Sequence, residues 1–284
     1  MSTADLPPAA ARLDAPALAA VLLERLRELG GLVVAFSGGV DSAVVLTAAV
    51  RALGADAVLA AIADSPSLAR TELSGARLLA GQLGAELVIL RTDELADPGY
   101  RANAGDRCYF CKQTVLAAVR DLAGRRGLAQ VATGTHLDDR RAAHRPGLRA
   151  AVELGVHEPL AEVGATKKAV RLLAGYWGLP VRDKPSTPCL ASRIAVGLPV
   201  SVERLALVER AELTARGYLA EHRVPVRDLR VRLLGQKGFR VELDATALAQ
   251  LGARAGADLL ARVAEAGTGG PGALAPYHCG SLSG

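Results

Sequence analysis

The sequence predicts an α/β fold, in which a doubly wound parallel sheet is followed by a smaller C-terminal domain of mixed helix and strand. Two patterns support this prediction. In the first part of the chain, short apolar runs alternate with segments of helical spacing, and short turns separate them. In the last part, two strand-like runs follow each other around a glycine-flanked turn. We place the domain boundary in a proline-rich stretch, with residues 1–185 in the first domain and residues 186–284 in the second.

Each element of the first domain follows from its local pattern. Apolar runs of strand length, bounded by turn residues, predict buried strands. These runs are Leu32–Phe36, Ala57–Ala63, Glu86–Arg91 and Gln130–Gly134. Apolar residues at helical spacing predict the helices between and around them. These segments are Ala17–Leu29, Ala43–Leu53, Leu68–Leu83, Cys111–Leu122 and Lys167–Tyr176. Because strands and helices alternate, the strands are expected to run parallel.

The elements of the second domain follow from turn and spacing signals. Pro180–Pro199 contains four prolines, and we interpret it as a functional loop and domain hinge. Val202–Arg216 then has helical spacing, and two paired strands, Leu229–Leu234 and Phe239–Leu243, flank a Gly-Gln-Lys-Gly turn. Ala245–Ala266 is expected to be one helix, followed by a flexible glycine-rich end.

Composition indicates a globular protein whose partners are small molecules. Half of the 284 residues are hydrophobic. The net charge is +5, but the basic residues form no block and aromatic residues make up only 3%, so no nucleic-acid binding is expected. No apolar run reaches the roughly 18 residues of a membrane span, and the first residues lack a signal-peptide pattern. Four cysteines provide no disulfide framework, so a cytoplasmic location is predicted.

A six-residue segment after the first predicted strand has the properties of a phosphate-binding loop. Ser37-Gly38-Gly39-Val40-Asp41-Ser42 joins that strand to a helix. The glycines let main-chain N–H groups approach an anion, the helix adds its positive end, and the serine hydroxyls can donate. Asp41 beside phosphates predicts a Mg²⁺ ion between them. The alternative is a tight turn capped by serine and aspartate.

This segment resembles the SGGxDS loop of the ATP-pyrophosphatase, or PP-loop, superfamily, whose fold is adenine nucleotide α-hydrolase-like. The resemblance implies that ATP is cleaved between its α- and β-phosphates, with an adenylated intermediate. It also implies which residues contact the nucleotide, at the carboxyl ends of strands where open α/β sheets bind ligands. These residues are Ala35, Phe36, Ser37, Gly38, Gly39, Asp41, Ser42, Ile62 and Gly134.

The cysteine of the proline-rich loop is a second candidate site. Cys189 follows Pro188 and is close in sequence to Ser192, Arg193 and Lys184. The two basic residues are expected to lower the pKa of the Cys189 thiol and so to supply the thiolate that sulfur chemistry requires. On this loop alone, the alternative of an inert, apolar cysteine stays open.

Several segments together resemble the LarE family, the ATP-dependent sacrificial sulfur transferases of nickel-pincer nucleotide biosynthesis. The similarity extends over nearly the whole chain from about residue 20. Its most specific parts are the segment around Cys189, Lys184–Arg193, which we call the cysteine loop, and the Arg-Cys-Tyr-Phe-Cys-Lys segment. The matching segments are Ser37–Ser42, Ala63–Ser67, Arg107–Lys112, Arg145–Ala150, Lys184–Arg193, Arg230–Arg232 and Gly280–Leu282.

The resemblance implies a two-stage reaction. ATP adenylates a carboxylate of pyridinium-3,5-dicarboxylate mononucleotide, and the thiolate of Cys189 then displaces AMP to form a thioester. Cleavage of the carbon–sulfur bond of Cys189 leaves dehydroalanine, so each chain gives its sulfur once. The resemblance also implies ATP and Mg²⁺ as cofactors, a homo-oligomer, and a hand-off of the product to a nickel-inserting enzyme.

Anion-binding residues are expected on the substrate side of this reaction. Ser192 and Arg193 are next to the cysteine, and we expect them to contact the nucleotide substrate. Arg230 and Arg232, two apart on a strand, are expected to point the same way and to bind phosphate with their forked guanidinium groups. The alternative for this pair is a solvated basic strand face.

Two glutamates of the helix after the cysteine loop are further candidates. Glu209 and Glu212 share one helix face and resemble acidic positions near the family's site, with a possible acid/base or metal-side role. A plain exposed helix face is the alternative for both.

The remaining cysteines and the histidines carry weaker signals. Cys108 and Cys111 have the spacing of half a zinc site or of a redox pair, which Cys279 would have to extend. We favour a structural role for them, and no iron–sulfur cluster is expected. Ordinary surface or supporting roles are expected for the histidines, which are His136, His144, His157, His222 and His278.

Two other functions stay open on the sequence. One is a different PP-loop enzyme: a tRNA thiolation enzyme should carry a tRNA-binding domain, and an ammonia-dependent synthetase has no use for Cys189. The other is a nucleotide-sensing domain of the same fold, which would tolerate loss of Asp41 and Cys189. The sulfur-transferase hypothesis requires that the phosphate loop and Cys189 face one cleft.

Overall fold

The computed structural model describes residues 13–142 and 146–278, which fold into two compact units. The first unit takes in the described residues up to Ser65, together with Arg70–Glu94 and Cys108–Ser186. The second unit takes in Pro66–Ala69, Leu95–Arg107 and the described residues from Thr187 onward. The second unit is therefore assembled from three separate stretches of chain.

The sheet of the first unit has four parallel strands in the order β3–β2–β1–β4. The strands are β1 (Leu32–Ala35), β2 (Val58–Asp64), β3 (Glu86–Arg91) and β4 (Gln130–Ala132). Because β1 lies between β2 and β4, the topological switch point of the sheet lies between the carboxyl ends of β1 and β4. This confirms the predicted parallel sheet, although the fourth strand ends two residues earlier than predicted.

Helices surround this sheet and continue into the second unit. In chain order they are α1 (Ala15–Leu29), α2 (Val40–Leu53), α3 (Arg70–Gln82), α4 (Pro98–Ala102), α5 (Arg107–Arg125), α6 (Leu137–Arg141), α7 (Pro146–Glu153), α8 (Pro159–Glu162), α9 (Lys167–Tyr176), α10 (Val202–Glu221), α11 (Ala245–Gln250) and α12 (Ala253–Val263). Within the described ranges, none of these helices is both long and apolar enough to cross a membrane.

The core of the first unit has a layer on each face of the sheet. Val33 and Leu59 pack with Leu116 and Val119 of α5 on one face, where all four side chains are buried. Because side chains alternate along a strand, Leu32 and Val34 point to the opposite face. The helices α1, α2 and α9 pack against one another. Helices on both faces bury most of β1 and β2, which explains the nearly continuous apolar sequences of these strands, whereas β3 at the edge of the sheet is only partly buried.

The second unit contains a small three-stranded sheet in the order β5–β6–β7. The strands are β5 (Leu229–Leu233), β6 (Phe239–Leu243) and β7 (Gly272–Pro276). β5 and β6 are antiparallel, whereas β6 and β7 are parallel. Helices α10 and α12 pack against each other, α10 also against β5 and α12 against β7. The predicted pair of strands around the Gly-Gln-Lys-Gly turn is confirmed.

The prediction of a flexible end from residue 267 was wrong, because β7 forms there and pairs with β6. Two glycines lie where the main chain of one strand region comes very close to neighbouring atoms. A Cβ at Gly272 would lie 2.4 Å from the ring of Phe239, and one at Gly238 would lie 2.0 Å from the carbonyl oxygen of Pro271. Side chains at these two positions would therefore prevent β7 from docking.

The prediction of one helix over Ala245–Ala266 was also wrong. The helix is interrupted between α11 and α12, where Gly252 takes an extended conformation as the N-cap of α12. Helices α6, α7 and α8 were not predicted, because each is too short to establish a helical period.

Candidate functional site

The predicted phosphate loop joins β1 to α2 at the carboxyl edge of the sheet. β1 ends at Ala35 and α2 begins at Val40, with Gly39 as its N-cap. Gly38 has a φ of +69°, and a Cβ there would lie 3.0 Å from the Cβ of Ala76. Glycine is therefore required at this position by conformation and by space. The first N–H groups of α2 have no acceptor within the helix and are available to an anion.

The two serines of the loop hold its ends together. The Oγ of Ser42 accepts a hydrogen bond from the Ser37 N–H at 3.2 Å and donates to the Gly39 carbonyl at 3.1 Å. The two hydroxyl oxygens lie 3.2 Å apart, and the Oγ of Ser37 also accepts from the Gly39 N–H at 3.4 Å. The serines thus fix the curvature of the loop.

Gly134, which follows β4, lies directly against the start of α2. A Cβ at this position would come within 2.6 Å of the Ser42 nitrogen and 2.8 Å of the Asp41 carbonyl carbon. The close approach occurs at the switch point between β1 and β4, where open sheets of this class bind ligands. The structure therefore brings Gly134 together with the phosphate loop.

The remaining predicted nucleotide residues lie at the carboxyl ends of β1 and β2. The N–H of Phe36 donates to the carbonyl of Ala61 at 2.7 Å, which continues the pairing of the two strands beyond Ala35. Phe36 and Ile62 are only 2% and 3% exposed. Their side chains belong to the core, so only their main-chain atoms are available to contact a nucleotide at this edge of the sheet.

Two lysines that the sequence did not assign to the phosphate loop lie beside it. The ammonium of Lys167 donates to both carboxylate oxygens of Asp41, at 2.6 and 2.7 Å. The ammonium of Lys184 donates to Glu72 at 2.7 Å and to the Gly38 carbonyl at 3.2 Å. Lys184 had been predicted to act on the cysteine thiol, whereas its contacts here are with the loop. The overlooked signal was rarity, since the chain has only five lysines among its 34 lysines and arginines.

In the second unit, Cys189 lies where the chain passes from exposed residues to buried ones. Thr187 and Pro188 are exposed, Cys189 is partly exposed, and the five residues from Leu190 to Ile194 are buried. A short 3₁₀ turn, Leu190–Arg193, begins directly after the cysteine, and the Ser192 N–H donates to the Cys189 carbonyl at 2.9 Å. The thiol is a free one.

Arg193 is almost completely buried behind the cysteine. Its side chain is 2% exposed and pairs with Glu212 at 2.8 Å. Its Nη1 donates to the carbonyls of Pro188 and Cys189 and to the Ser192 hydroxyl. Arg193 therefore organises the main chain of the cysteine loop, a role that its position in the sequence did not reveal.

Arg230 and Arg232 of β5 share one face of the small sheet with residues of β6. In the antiparallel register, Arg230 lies opposite Glu242 and Arg232 lies opposite Arg240. The Oε1 of Glu242 accepts from the Nε atoms of Arg232 and Arg240 at 2.7 and 3.0 Å. Arg232 also donates to the Ser192 carbonyl at 3.0 Å, which ties this face to the cysteine loop.

This arginine face is crowded with positive charge. Arg230 is buried, and its guanidinium lies over the Tyr277 ring at 5.2 Å. Burial lowers the pKa of Arg230, and the nearby charge of Arg193 lowers it further. A buried guanidinium next to a second one is favoured when an anion lies close by. Arg230 is buried rather than part of a solvated basic strand face, the alternative raised for the pair.

The two glutamate candidates differ in their surroundings. Glu212 accepts from Arg193 and, at 3.2 Å, from the Val231 N–H, so it joins α10 to the cysteine loop and to β5. Glu209 is partly exposed on the same helix. The structure thus gives Glu212 a definite positioning role, and the acid/base role of Glu209 stays a prediction.

Two residues of the segment Leu95–Arg107 form hydrogen bonds with the chain that follows Cys189. Asn103 has a φ of +52° and its Nδ2 donates to the carbonyls of Ile194, Ala195 and Leu198, at 3.3, 2.9 and 3.0 Å. Its Oδ1 accepts at 2.7 Å from Arg107, which also donates to the Ala191 carbonyl at 2.8 Å. We call Asn103 and Arg107 the loop clamp; the sequence had not identified it.

Among the described residues, the other predicted sites form no set of ligands for a metal ion. Cys108 and Cys111 lie at the start of α5 and form no disulfide bond among the described residues. No group of three or more His, Cys, Asp or Glu side chains within residues 13–142 and 146–278 is arranged to hold a metal ion. His136, His157 and His222 each take part in a hydrogen bond. Other residues named above lie outside the described ones: His144, Arg145, Cys279 and Gly280–Leu282.

The residues at the loop fit a nucleotide phosphate with Mg²⁺. The glycine-rich loop, the start of α2 and the ammonium groups of Lys167 and Lys184 lie together and are suited to bind an anion. Mg²⁺ is usually bound through one or two carboxylates, phosphates and several waters. Asp41 can be such a carboxylate without a preformed ligand cage.

Comparison with known proteins identifies similar chains. The NAD synthase family matches residues 18–102, which contain the phosphate loop. A protein of Synechocystis sp. described as uncharacterized is 43% identical over 198 residues, 68% of this chain and 73% of that protein. The NH₃-dependent NAD⁺ synthetase of Chlorobaculum tepidum is 36% identical over 93 residues, 33% of each chain.

A further relative has a more specific description. The pyridinium-3,5-bisthiocarboxylic acid mononucleotide synthase of Lactiplantibacillus plantarum is 35% identical over 193 residues. The match covers 68% of this chain and 70% of that enzyme. It therefore extends well beyond the segment that resembles NAD synthases.

Proposed function

The chain belongs to the family of pyridinium-3,5-bisthiocarboxylic acid mononucleotide synthases, and from that premise we propose that it is an ATP-dependent enzyme that inserts sulfur into a pyridinium mononucleotide. Its substrate would be pyridinium-3,5-dicarboxylate mononucleotide, and its product would lead to the nickel-pincer cofactor. The sulfur would come from Cys189.

The first stage is adenylation of a substrate carboxylate. The start of α2 and the phosphate loop bind the phosphates of ATP, with Ser37 and Ser42 holding the loop in shape. Asp41 would hold the Mg²⁺ ion of MgATP, and the ion would supply positive charge for the leaving pyrophosphate. The carboxylate oxygen attacks the α-phosphorus, pyrophosphate leaves, and the acyl adenylate is formed.

The second stage moves sulfur from the protein. The thiolate of Cys189 attacks the activated carbonyl carbon, AMP leaves, and a thioester joins substrate to protein. A base then removes the α-proton of residue 189, the Cβ–S bond breaks, and its electrons leave with the thiocarboxylate. Dehydroalanine remains in the chain, so the protein has lost the elements of H₂S.

The arginine face is suited to hold the substrate during this stage. A pyridinium mononucleotide carries a phosphate and two carboxylates, whereas this face and the adjoining cysteine loop bring together the guanidinium groups of Arg193, Arg230, Arg232 and Arg240 with the carboxylates of Glu212, Glu242 and Asp228. The excess of guanidinium groups is complementary to those anions. One observation carries the proposal. Cys189 is partly exposed, and arginines hold its loop by hydrogen bonds, Arg193 to the Cys189 carbonyl and Arg232 to the Ser192 carbonyl.

Intact-mass spectrometry tests the proposal directly. The protein is incubated with ATP, Mg²⁺ and pyridinium-3,5-dicarboxylate mononucleotide, and its mass is compared with that of untreated protein. We expect the loss of one H₂S, which peptide mapping assigns to residue 189. Product formation with an unchanged protein mass would reject a sacrificial mechanism.

Matched variants separate the two stages. Cys189→Ser should still release pyrophosphate from ATP but should show no mass loss and no thiocarboxylate product. Cys108→Ser, which changes a thiol at the start of α5, should behave like the wild type. If Cys108→Ser were the variant that lost activity, the assignment to Cys189 would be wrong.

An ammonia-dependent synthetase is the second candidate, because residues 18–102 match the NAD synthase family. Such an enzyme would form an amide from the adenylate and would keep all its sulfur. With ammonium in the reaction, it would give an amide product and full activity in Cys189→Ser. The mass and product measurements above distinguish the two functions.

The proposal has further requirements that stay predictions. The thiol of Cys189 must reach the activated carboxylate, so the phosphate loop and the cysteine loop must face one cleft during the reaction. A cytoplasmic location, a homo-oligomer and a hand-off to a nickel-inserting enzyme are proposed for the same reason, by analogy with the family.

A further inference from the structure

The peptide between Gly38 and Gly39 has little steric constraint of its own. Gly38 has a φ of +69°, and a Cβ there would lie 3.0 Å from the Cβ of Ala76. Gly39 is extended, with a φ of −84°, and among the described residues a Cβ there would meet only the Ser37 hydroxyl, at 3.4 Å. Because this peptide has a glycine on each side, rotating it meets little steric resistance.

The direction of this peptide matters for the binding of an anion. In a planar trans peptide, the carbonyl of Gly38 and the N–H of Gly39 point in opposite directions. The Gly39 N–H donates to the Ser37 hydroxyl at 3.4 Å, next to the start of α2. Glycine-rich loops bind phosphate through such N–H groups, whereas a carbonyl oxygen on the same side repels an anion. Turning the peptide over would therefore weaken a phosphate site.

One side chain holds this peptide in the observed direction. The ammonium of Lys184 donates to the Gly38 carbonyl at 3.2 Å. It also donates to Glu72 at 2.7 Å, in an ion pair whose side chains are 25% and 20% exposed. Glu72 is in the first turn of α3, and Ala76 of the same helix lies against Gly38. The lysine is thus fixed by a helix that is itself packed against the loop.

We infer that Lys184 is a positioning residue for nucleotide binding, which keeps the Gly38 carbonyl turned away from the phosphates and the Gly39 N–H turned towards them. Its ammonium is engaged by Gly38 and Glu72, so it acts on the main chain of the loop rather than on the nucleotide. Without this hydrogen bond, the peptide takes both directions, and only the observed one binds phosphate. This inference rests on the proposed binding of ATP.

Calorimetric titration with α,β-methylene-ATP, which resists cleavage between the α- and β-phosphates, measures the effect on binding. The variant combines Lys184→Met with Glu72→Gln, so the ion pair is removed without a change in net charge. We expect it to bind the analogue about tenfold more weakly than the wild type in the presence of Mg²⁺, because the loop loses a charged hydrogen bond. Lys237→Met, which removes an exposed lysine of the second unit, should stay within about twofold of the wild type.

Nuclear magnetic resonance of the nucleotide-free protein distinguishes a turned peptide from a lost phosphate contact. The sequence contains three Gly-Gly pairs, so labelling with [1-¹³C,¹⁵N]glycine and detecting only amides that follow a labelled carbonyl selects Gly31, Gly39 and Gly270. In the double variant we expect a second or broadened signal for Gly39, whereas Gly31 and Gly270 should stay as in the wild type. Affinity falls with the fraction of chains in the competent form, so a tenfold loss corresponds to about one tenth of the chains in the observed direction.

Each measurement can overturn the inference. Unchanged affinity in the double variant would show that the hydrogen bond has no part in binding. Weaker binding with a single, unaltered Gly39 signal would mean that the lysine contacts the phosphates directly. Altered signals at Gly31 and Gly270 as well would show a general effect on the fold, which contradicts a specific positioning role. A wild-type protein that does not bind the analogue would instead reject the proposed function, while the Gly39 signal would still show whether Lys184 fixes the peptide.

Discussion

At the scale of single residues, Gly134 shows how closely the proposed nucleotide site is packed. Its main chain touches the start of α2, where a Cβ would lie 2.6 Å from the Ser42 nitrogen. The opposing atoms are main chain and cannot rotate away. The loop can keep its shape only if residue 134 has no side chain.

Gly134→Ala should therefore deform the phosphate loop. We expect a loss of about 1–3 kcal/mol in the free energy of unfolding, as for overpacking elsewhere in proteins, together with weaker binding of α,β-methylene-ATP. Urea unfolding and calorimetry measure the two effects. Gly124→Ala is the control, because a Cβ at that position of α5 meets no atom within 4 Å and alanine favours helix. Equal behaviour of the two variants would contradict the assigned contact.

At the scale of elements, the loop clamp connects Leu95–Arg107 to the chain after Cys189. Asn103 combines a left-handed conformation with three hydrogen bonds to main-chain carbonyls. Substitution can separate these two contributions, since glycine tolerates the conformation but cannot make the bonds. The left-handed conformation and the hydrogen bonds of Asn103 together hold the residues that follow Cys189 in place.

We expect Asn103→Ala to lower the free energy of unfolding by roughly 3 kcal/mol, because carbonyls lose their donor and alanine is strained at positive φ. Asn103→Gly should recover about 1 kcal/mol of this loss. Urea unfolding measures the stability, and iodoacetamide labelling followed by peptide mapping measures the reactivity of Cys189. A changed labelling rate at Cys189, with unchanged rates at Cys108 and Cys111, is the expected sign of a positioning role.

Elements whose ends carry local signals were predictable from the sequence. The bounds of α9 and β3 were predicted to the residue, because Thr166 caps the helix and charged residues bound the strand. The phosphate loop was recognisable because its six residues are consecutive. By contrast, β7 was missed, because glycines that allow close packing and glycines that allow flexibility look the same in a sequence.

Contacts between distant residues could not be predicted in the same way. Lys167 and Asp41 are 126 positions apart, and Asn103 and Leu198 are 95 apart, so only the fold brings them together. Arg230 and Arg232 were identified as anion-binding candidates by their spacing. Their partners Glu242 and Arg240 were not, because the register of β5 and β6 was not known.

At the scale of the whole molecule, the proposed chemistry fixes the yield of each chain. If Cys189 is the sulfur source, the thiocarboxylate formed should rise in proportion to the protein added and should stop at a single sulfur atom per chain. Fresh protein should restart the reaction, whereas fresh ATP should not. Quantifying the product by mass spectrometry at several protein concentrations checks this expectation, and a yield above that limit without another sulfur donor would contradict it.

The position of Cys189 at the border of the packed interior has a consequence for the time course. Cys189 is partly exposed, and the buried stretch of chain begins only at the next residue, Leu190. Removing the sulfur atom of residue 189 is therefore expected to open no cavity in the interior. Under the proposed chemistry, a used chain keeps its fold and its arginine face and competes with fresh chains for the same nucleotide. This competition would slow the reaction when the nucleotide is scarcer than the chains, whereas with abundant nucleotide the number of fresh chains alone would set the rate.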